Sequence, residues 1–233
     1  MSGDLPEGVD DLALMTLHAD IGYVHDGAGR LLRTNELEAR PAPLVFLGMT
    51  RAGQVLRLGA EASGEVERAA RRMLAEPLLA GDFDELPARA SEFAAVAPLG
   101  RFGPVFVADG TPDGGTSAVR VTPANVHVAA DTFPWLAREL SSCEPCFGVV
   151  EQGAIVSVCF SSRVGATAVA AGVETLPAFR GRGFGAAATA AWAAHARRTG
   201  KRAFYSTRWD NRGSLGIARR VGFRLFGAEL TWG

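Results

Sequence analysis

Apolar residues in the first half of the chain recur at two spacings, which predict short strands between a few helices. The predicted elements are helices at Val9–Ala19, Glu65–Glu76 and Pro87–Val96, hairpins at Gly22–Arg33 and Leu44–Gly59, and a strand at Val105–Ala108. The helices show apolar residues three and four positions apart, whereas the hairpins show apolar runs separated by turn formers. Thr111–Thr116 is rich in turn formers, so we expect an accessory α/β region over residues 1–115 and a second domain over residues 116–233.

The second half has a sharper pattern, in which hairpins coexist with a β-α-β unit. Strands are predicted at Ala118–Val128, Cys146–Glu151, Ala154–Ser161, Ala166–Thr175, Arg202–Thr207 and within Phe223–Trp232, and helices at Pro134–Leu140, Ala186–Thr199 and from Asp210 or Asn211 to Val221. Gln152-Gly153 suits a two-residue hairpin turn, and Gly200 and Gly222 stand where helices end. Since strands outnumber helices and both kinds of connection occur, the pattern predicts an α+β fold with a mixed β-sheet and flanking helices.

The composition is typical of a soluble globular protein. Of 233 residues, 48% are hydrophobic and 21% are charged, and 24 basic residues against 25 acidic ones give a net charge of -1. A duplex nucleic-acid binder normally shows a basic excess, so nucleic acid is disfavoured as a partner. No apolar run reaches the roughly 18 residues that a membrane span needs, and the acidic start is unlike a secretory signal. Three cysteines are too few for a disulfide scaffold, which favours a reducing cytoplasm.

The segment 173–185 carries the most specific chemistry in the sequence. A predicted strand runs into a loop with three glycines and two arginines, and this loop opens directly into a helix. The first N–H groups of a helix have no partner within the helix, and the helix dipole adds positive potential there. Glycines let a phosphate approach these N–H groups closely, and the arginines add positive charge. The predicted diphosphate cradle consists of Arg180, Gly181, Arg182, Gly183 and Gly185.

A dinucleotide is one ligand that such a cradle can hold. Gly181, Gly183 and Ala186 satisfy a relaxed G-x-G-x-x-[GA] pattern, and Asp210 follows the next predicted strand. Too few residues remain after Gly185 for a doubly wound sheet, and the strand before the loop follows a hairpin instead of opening a βαβ unit. A dinucleotide-binding oxidoreductase is therefore a minor alternative.

The loop also resembles a known family, the GNAT superfamily of acetyl-CoA-dependent N-acetyltransferases. Arg180–Gly185 matches the R/Q-x-x-G-x-G/A loop of that superfamily. Asn211, followed by Ser214 and then by Gly222-Phe223, matches its second signature, and the distance between the two motifs suits one helix and one strand. The resemblance covers roughly residues 119–232, about half of the chain. Two motifs in register are far more specific than either motif alone.

The resemblance implies both a fold and an activity. It implies that an acetyl group moves from acetyl-CoA to a primary amine of a small molecule or peptide, by direct attack in a ternary complex and without a metal. The pantetheine arm is expected in a gap between Ala166–Thr175 and Arg202–Thr207, paired with strand backbone. The residues implied in cofactor binding are Val173, Thr175, Arg180, Gly181, Arg182, Gly183, Phe184, Gly185, Asn211 and Ser214. Homodimers are common in the superfamily, so a homodimer is a possible assembly.

The catalytic residues are less well indicated than the cofactor site. Glu174 is the carboxylate best placed to act as general base, through a water, although it also suits a strand-end charge or a substrate anchor. The superfamily often uses a tyrosine seven residues after the motif asparagine to protonate the leaving thiolate, and this position is Ala218. Ser206 is our candidate for this acid, and Tyr205, Ser214 and water are its alternatives. The missing tyrosine also motivates a second function, an acyl-CoA-binding sensor without turnover.

The remaining motifs favour structural roles. Cys143-Glu144-Pro145-Cys146 has the C-x-x-C spacing, but there is no second pair to complete a zinc site, so packing is the better interpretation. The four histidines are scattered and are expected on the surface or in the core. The region before residue 116 shows no catalytic motif. It suits a degenerate acyltransferase-like half, a lid over the acceptor pocket or a structural cover.

Overall fold

In the computed structural model, the chain divides into two compact units, and each unit is built from several separate segments of the sequence. The structure describes residues 10–74, 83–89, 91, 94–95, 98–110 and 117–233. The N-terminal unit comprises the described residues of Pro6–Phe106, with Ser206–Asn211 and Leu225–Gly233. The C-terminal unit comprises the described residues of Val107–Tyr205, with Arg212–Arg224. The turn-rich segment Thr111–Thr116 lies outside the described residues, so the boundary at 115/116 stays a prediction.

The described residues form helices and strands that agree with the predicted α+β class. The helices are α1 (Asp11–Gly22), α2 (Gly64–Leu74), α3 (Leu136–Glu139), α4 (Phe184–Arg198) and α5 (Arg212–Val221). The strands are β1 (Tyr23–His25), β2 (Leu31–Thr34), β3 (Val45–Thr50), β4 (Gly53–Leu58), β5 (Leu99–Val107), β6 (Ala118–Val121), β7 (Cys146–Glu151), β8 (Ala154–Val164), β9 (Ala168–Thr175), β10 (Arg202–Ser206) and β11 (Arg224–Trp232). No helix in this part of the chain is long and apolar enough to cross a membrane.

Three predicted elements differ from the structure. The strand predicted over Ala118–Val128 ends at Val121, because Pro123 cannot donate to a ladder and the Asn125 side chain accepts a hydrogen bond from the N–H of Thr122 at 2.7 Å. A 3₁₀ turn follows at residues 126–129. The strand predicted at Val105–Ala108 begins earlier, at Leu99. Much of the helix predicted at Pro87–Val96 lies outside the described residues, and its first residues belong to a 3₁₀ turn that ends at Arg89.

The C-terminal unit contains a sheet of strands in the order β10-β9-β8-β7-β6. Strands β6 to β9 pair antiparallel, and β9 pairs parallel with β10. The predicted turn Gln152-Gly153 joins β7 to β8, with φ of 52° and 81° at its two residues, as a two-residue hairpin requires. Helix α4 connects the two parallel strands, which makes a β-α-β unit. The mixed sheet that the sequence predicts is therefore confirmed.

The N-terminal unit contains the β1-β2 hairpin and a sheet with the strand order β4-β3-β11-β5. Its core includes alternate residues of β3 and the last residues of β11, among them Val45, Leu47, Leu230 and Trp232, all at most 1% exposed. Strand β11 pairs antiparallel with β3, from Ala228↔Met49 to Trp232↔Val45. Residues that are far apart in the sequence therefore share one core.

In the N-terminal unit, the buried carboxylate of Glu229 lies against a histidine and an arginine. Glu229 is 2% exposed, its Oε2 lies 2.9 Å from Nε2 of His18 and its Oε1 lies 3.3 Å from Nη1 of Arg101. The carboxylate of Glu229 is the main cause that raises the pKa of Arg101. The same guanidinium Nη1 donates to Oγ of Ser206 at 3.3 Å. Glu229 therefore holds together side chains from α1 and β5.

We expect Glu229→Gln to destabilise the protein strongly. The substitution removes the negative charge that faces the Arg101 guanidinium and the His18 ring. Because the Arg101 side chain is 39% exposed, we expect a loss of about 1.5–3 kcal/mol, as for a hydrogen bond to a charged group. Chemical denaturation measures the loss as a lower midpoint. Glu61→Gln is the control, because Glu61 is exposed and a surface change of this kind alters stability by less than about 0.5 kcal/mol. Equal midpoints for the two variants would show that the cluster contributes little.

Candidate functional site

Among the described residues, no strand pairs with one edge of β9 near its C-terminal end. The pairs between β10 and β9 end at Phe204↔Ala170, whereas the pairing with β8 continues to Ser157↔Thr175. The N–H of Leu176 donates to the carbonyl of Val156 after β9 ends, at 3.0 Å. Since peptide groups alternate along an antiparallel strand, those of residues 173 and 175 face away from β8. This open edge is where the resemblance predicts backbone pairing with the pantetheine arm.

The loop after β9 turns sharply into helix α4. Residues 177–179 form a 3₁₀ turn, and Gly181 and Gly183 follow with φ of 76° and 85°, a conformation that side chains other than glycine rarely adopt. The Nε of Arg180 donates to the carbonyl of Thr175 at 3.2 Å, which ties the loop to the end of β9. A Cβ atom added at Gly181 would meet nothing within 4 Å. The backbone of the loop is therefore open to a ligand.

Gly185 has a different role from the other two glycines. It is buried in the first turn of α4, and a Cβ atom there would lie 2.9 Å from Cδ1 of Ile217 and 3.2 Å from Oγ1 of Thr175. Oγ1 of Thr175 also lies 2.7 Å from Oγ of Ser157 on β8. The missing side chain thus lets the start of α4 pack closely against β9 and α5, and this packing holds the N–H groups of α4 in place.

Among the described residues, three guanidinium groups lie in or beside the loop. The sequence predicts two of them, those of Arg180 and Arg182. Arg180 and Arg182 are exposed, and the guanidinium of Arg182 lies 5.2 Å from the ring centre of Phe179. The third belongs to Arg220 on α5, whose guanidinium lies 3.3 Å from the position of a Cβ on Gly183. Helix α4 has no acidic residue in its first turn. Backbone N–H groups, a helix N-terminus and three guanidinium groups are features that suit an anion, so this loop is the candidate anion site.

Arg220 is a residue that sequence reasoning missed. It stands in the last turn of α5, thirty-seven positions after Gly183 by sequence number, where a basic residue is also expected for its interaction with the helix dipole. The signal that was available is the second motif itself, because its helix must pack near the glycine loop. Only the contact between α5 and the start of α4 identifies which side of the helix faces that loop.

The candidate catalytic residues belong to different units. The side chain of Glu174 is exposed near the end of β9, and its carbonyl accepts a hydrogen bond from Oγ of Ser157. Ser206 is the last residue of β10 and belongs to the N-terminal unit, where Arg101 donates to its hydroxyl group. Asn211, the residue before α5, belongs to the same unit. The C-terminal unit alone brings together the backbone of residues 173–175, the glycine loop and helix α5.

Helix α5 carries Ser214 and Ala218 one turn apart. Ala218 is completely buried, and Ser214 is half-buried with its Oγ 2.6 Å from Oη of Tyr205. Tyr205 reaches this place from β10, is 3% exposed and packs against Phe223 at 5.5 Å between ring centres. Burial raises the pKa of Tyr205 to about 12, so its phenol stays protonated at neutral pH.

The three cysteines are buried, which confirms their predicted packing role. Burial raises the pKa of Cys143 to about 11, and burial also raises the pKa values of Cys146 and Cys159. Among the described residues, no three or more His, Cys, Asp or Glu side chains form a group that could hold a metal ion. The burial of the C-x-x-C pair therefore agrees with its predicted packing role.

We expect the native protein to react slowly with a thiol reagent at pH 8. A thiol whose pKa is raised holds little thiolate below that pKa, and the thiolate is the reactive form. Absorbance after addition of the reagent measures the reaction, and all three thiols should react once the protein is unfolded. One equivalent of fast reaction in the native state would contradict the assignment. Slow reaction makes the same reagent suitable for detecting thiol release from CoA esters.

Comparisons with known proteins bear on this site. Residues 146–228 match the family model described as GNAT acetyltransferase. A search of curated proteins finds no match. Similar solved structures include a GNAT-family acetyltransferase from Novosphingobium aromaticivorans, with 20% identity, a TM-score of 0.43, and coverage of 57% of this chain and 65% of that chain.

Two further similar structures align over most of the chain. A GCN5-related N-acetyltransferase from Kribbella flavida has 14% identity and a TM-score of 0.47 over 97% of this chain and 95% of its own. A GCN5-related N-acetyltransferase from Sphaerobacter thermophilus has 16% identity and a TM-score of 0.44 over 98% of this chain and 86% of its own.

Proposed function

We propose that the GNAT acetyltransferase domain at residues 146–228 moves an acetyl group from acetyl-CoA to a primary amine of a small molecule or peptide. The observation that carries this proposal is the glycine loop, which combines an open backbone, a helix N-terminus and three guanidinium groups directly after the open edge of β9. A diphosphate attached to an extended arm with peptide-like amide groups has the chemistry that fits both features.

The C-terminal unit has backbone groups and arginines that suit the separate parts of acetyl-CoA. The N–H groups of the loop and of the first turn of α4 would hold the diphosphate, with Arg180, Arg182 and Arg220 compensating its charge. The peptide groups of Val173 and Thr175 would pair with the amides of the pantetheine arm, which is a form of strand addition. Asn211 and Ser214 stay proposed contacts from the start of the second motif.

The chemistry that we propose is direct attack of the amine on the thioester. The nitrogen must be neutral to attack, so an ammonium ion must first lose a proton, and Glu174 would accept it through a water. The N–C bond forms, the nitrogen loses its surplus proton, and the C–S bond breaks with the electron pair staying on sulfur, which takes up one proton. A backbone N–H near Thr175 would stabilise the negative oxygen of the tetrahedral intermediate.

An acyl-CoA-binding sensor without turnover is the second candidate. The observation that favours it is Ala218, which is fully buried and offers no acid at the position where the superfamily often has tyrosine. The two candidates share the cofactor site and differ only in turnover. Release of thiol from acetyl-CoA in the presence of an amine panel distinguishes them, because a sensor gives no release above hydrolysis.

A matched pair of glycine variants tests where the cofactor binds. Gly181 and Gly200 both have φ of 76° and open space around an added Cβ atom, but Gly200 lies beyond the far end of α4. Gly181→Ala and Gly200→Ala therefore introduce the same backbone strain, about 1–2 kcal/mol. We expect only Gly181→Ala to weaken acetyl-CoA binding, by on the order of 10-fold, about 1.4 kcal/mol.

Thermal unfolding with acetyl-CoA, CoA or NAD provides the measurement. A ligand at a hundred times its Kd stabilises the native state by about 2.7 kcal/mol. Stabilisation of the wild type by NAD and not by CoA would overturn the acetyltransferase proposal. If Gly181→Ala and Gly200→Ala reduced the Tm shift caused by acetyl-CoA equally, the ligand would bind elsewhere, or backbone strain alone would weaken its binding.

A further inference from the structure

The guanidinium of Arg101 is held in the N-terminal unit through a single nitrogen atom. Its Nη1 lies 3.3 Å from Oε1 of Glu229 and also donates to Oγ of Ser206 at 3.3 Å. A guanidinium is planar and carries five N–H groups, of which two belong to Nη1, two to Nη2 and one to Nε. The two contacts therefore match the two N–H groups of this one nitrogen.

The edge of the Arg101 guanidinium formed by Nε and Nη2 has no hydrogen-bond acceptor among the described residues. The side chain of Arg101 is 39% exposed, so solvent reaches part of it. This edge presents two parallel N–H groups, and their spacing matches the two oxygens of a carboxylate. A donor pair that suits a planar anion is thus open to a ligand.

The buried partner of Arg101 holds the guanidinium in place. Glu229 is 2% exposed, and its second carboxylate oxygen, Oε2, lies 2.9 Å from Nε2 of His18. The carboxylate is thus fixed from two sides, and it in turn fixes Nη1 of Arg101. A long side chain that is already ordered loses little conformational entropy when a ligand binds to it.

The charges near Arg101 favour a ligand with a single negative charge. The carboxylate of Glu229 has the largest effect on the pKa of Arg101, which it raises, and Glu36 also raises this pKa. A phosphate dianion would be repelled by both carboxylates. A ligand carboxylate brings one charge and two coplanar oxygens, which fit the open edge with less repulsion.

We propose that the N-terminal unit binds a small molecule through a carboxylate, which forms a bidentate pair with Nε and Nη2 of Arg101. Ser206 and Glu229 position the guanidinium. The glycine loop belongs to the other unit, so this site is separate from the proposed cofactor site and does not depend on acetyl transfer. The carboxylate belongs either to an acetyl acceptor that also carries the amine, or to an effector that carries no amine.

NMR of the full chain labelled with ¹⁵N tests the site with acetate as the probe. The Nε–H signal of Arg101 is identified by its absence from Arg101→Lys, a variant that keeps a positive charge beside Glu229. We expect acetate to shift this signal and the backbone N–H signal of Arg101, with a Kd on the order of 10 mM, because a ligand of few atoms binds weakly. Acetamide has a similar shape without the charge and should shift both signals much less.

Arg57→Lys is the matched control for Arg101→Lys. Arg57 is also a half-buried arginine of the N-terminal unit, and its Nη2 donates to Oδ1 of Asp20 at 3.0 Å. The backbone N–H signal of Ser206 follows acetate binding in both variants. We expect Arg101→Lys to weaken binding by at least about 10-fold, because an ammonium group cannot form the bidentate pair, and Arg57→Lys to change it by less than about 2-fold.

Two results would overturn the proposal. One is an equal effect of acetate and acetamide on the signals of wild-type Arg101, which needs no variant. The other is equal acetate affinity in Arg101→Lys and Arg57→Lys, once their denaturation midpoints show that both are folded.

The standard amino acids and the matching carboxylic acids without an amine distinguish the two sources of the carboxylate. An acetyl acceptor should release thiol from acetyl-CoA, with a KM that Arg101→Lys raises by at least about 10-fold. An effector should shift the Arg101 signals without thiol release above hydrolysis. Either result supports the site. A wild type that releases no thiol with any amine would reject the proposed function, whereas the acetate titration would still decide this inference.

Discussion

Charge reversal at Arg180 is expected to reduce the affinity for CoA by at least about 100-fold. Arg180 is exposed beside the glycine loop, and Arg180→Glu replaces an attractive charge by a repulsive one at the proposed diphosphate. A charge-assisted hydrogen bond contributes about 1.5–3 kcal/mol, and the new repulsion adds to its loss. Titration calorimetry with CoA, at two salt concentrations, measures the effect. The wild-type affinity should fall with salt, and that of the variant should depend on it less.

Arg180 also donates to the carbonyl of Thr175, so its substitution needs controls for the loop itself. Arg180→Gln removes the charge without reversing it and should give an intermediate affinity. Arg138→Glu reverses the charge of an exposed arginine on α3 and should leave CoA binding within about 2-fold of wild type. If Arg138→Glu weakened binding as much as Arg180→Glu, net charge and not the cradle would govern the affinity.

Glu174→Gln is expected to lower kcat by about 100-fold or more while KM for acetyl-CoA changes little. General base catalysis contributes roughly 10²- to 10⁴-fold, and the amide that replaces the carboxylate cannot accept the proton of the amine. Steady-state thiol release over a range of pH measures the change. Glu151→Gln is the matched control, because Glu151 is also a glutamate at the end of a strand of the same sheet.

The choice of amine makes this experiment sharper. An amine whose conjugate acid has a pKa below the assay pH is already neutral, so it needs the base less than an ordinary alkylamine does. The deficit of Glu174→Gln should therefore shrink for such amines. A deficit of the same size for all amines would indicate that Glu174 anchors the acceptor. An unchanged kcat would indicate that Glu174 is only a charge at the end of the strand.

The geometry of the candidate cofactor site was largely predictable because its parts are adjacent in the sequence. The strand, the glycine loop and the helix follow one another from Val173 to Gly185, and the positive φ at Gly181 and Gly183 is what glycine permits. The same motif predicts Gly185, but glycine is needed at this position for a different reason. It gives space to Ile217 and Thr175, and only the packing of α5 against α4 reveals this contact.

The acid step illustrates what sequence reasoning left open. The sequence names Tyr205, Ser206 and Ser214 as alternatives because side chains of adjacent strand residues point to opposite faces and their partners are unknown. In the structure, Tyr205 meets Ser214 of α5, and Ser206 meets Arg101 of β5. The side chains of these two neighbours thus bind partners in different units, and a sequence motif cannot indicate such partners.

Local pattern alone determined the α+β class, the glycines that follow α4 and α5 and the glycine loop, because each of these depends on residues that are neighbours along the chain. Tertiary structure decided the rest: the place of β11 beside β3, the third guanidinium at the loop and the contact of Glu229 with His18. Such contacts join residues that are far apart in the chain, and they form only where packing of strand faces and helix faces brings the side chains within a few ångströms.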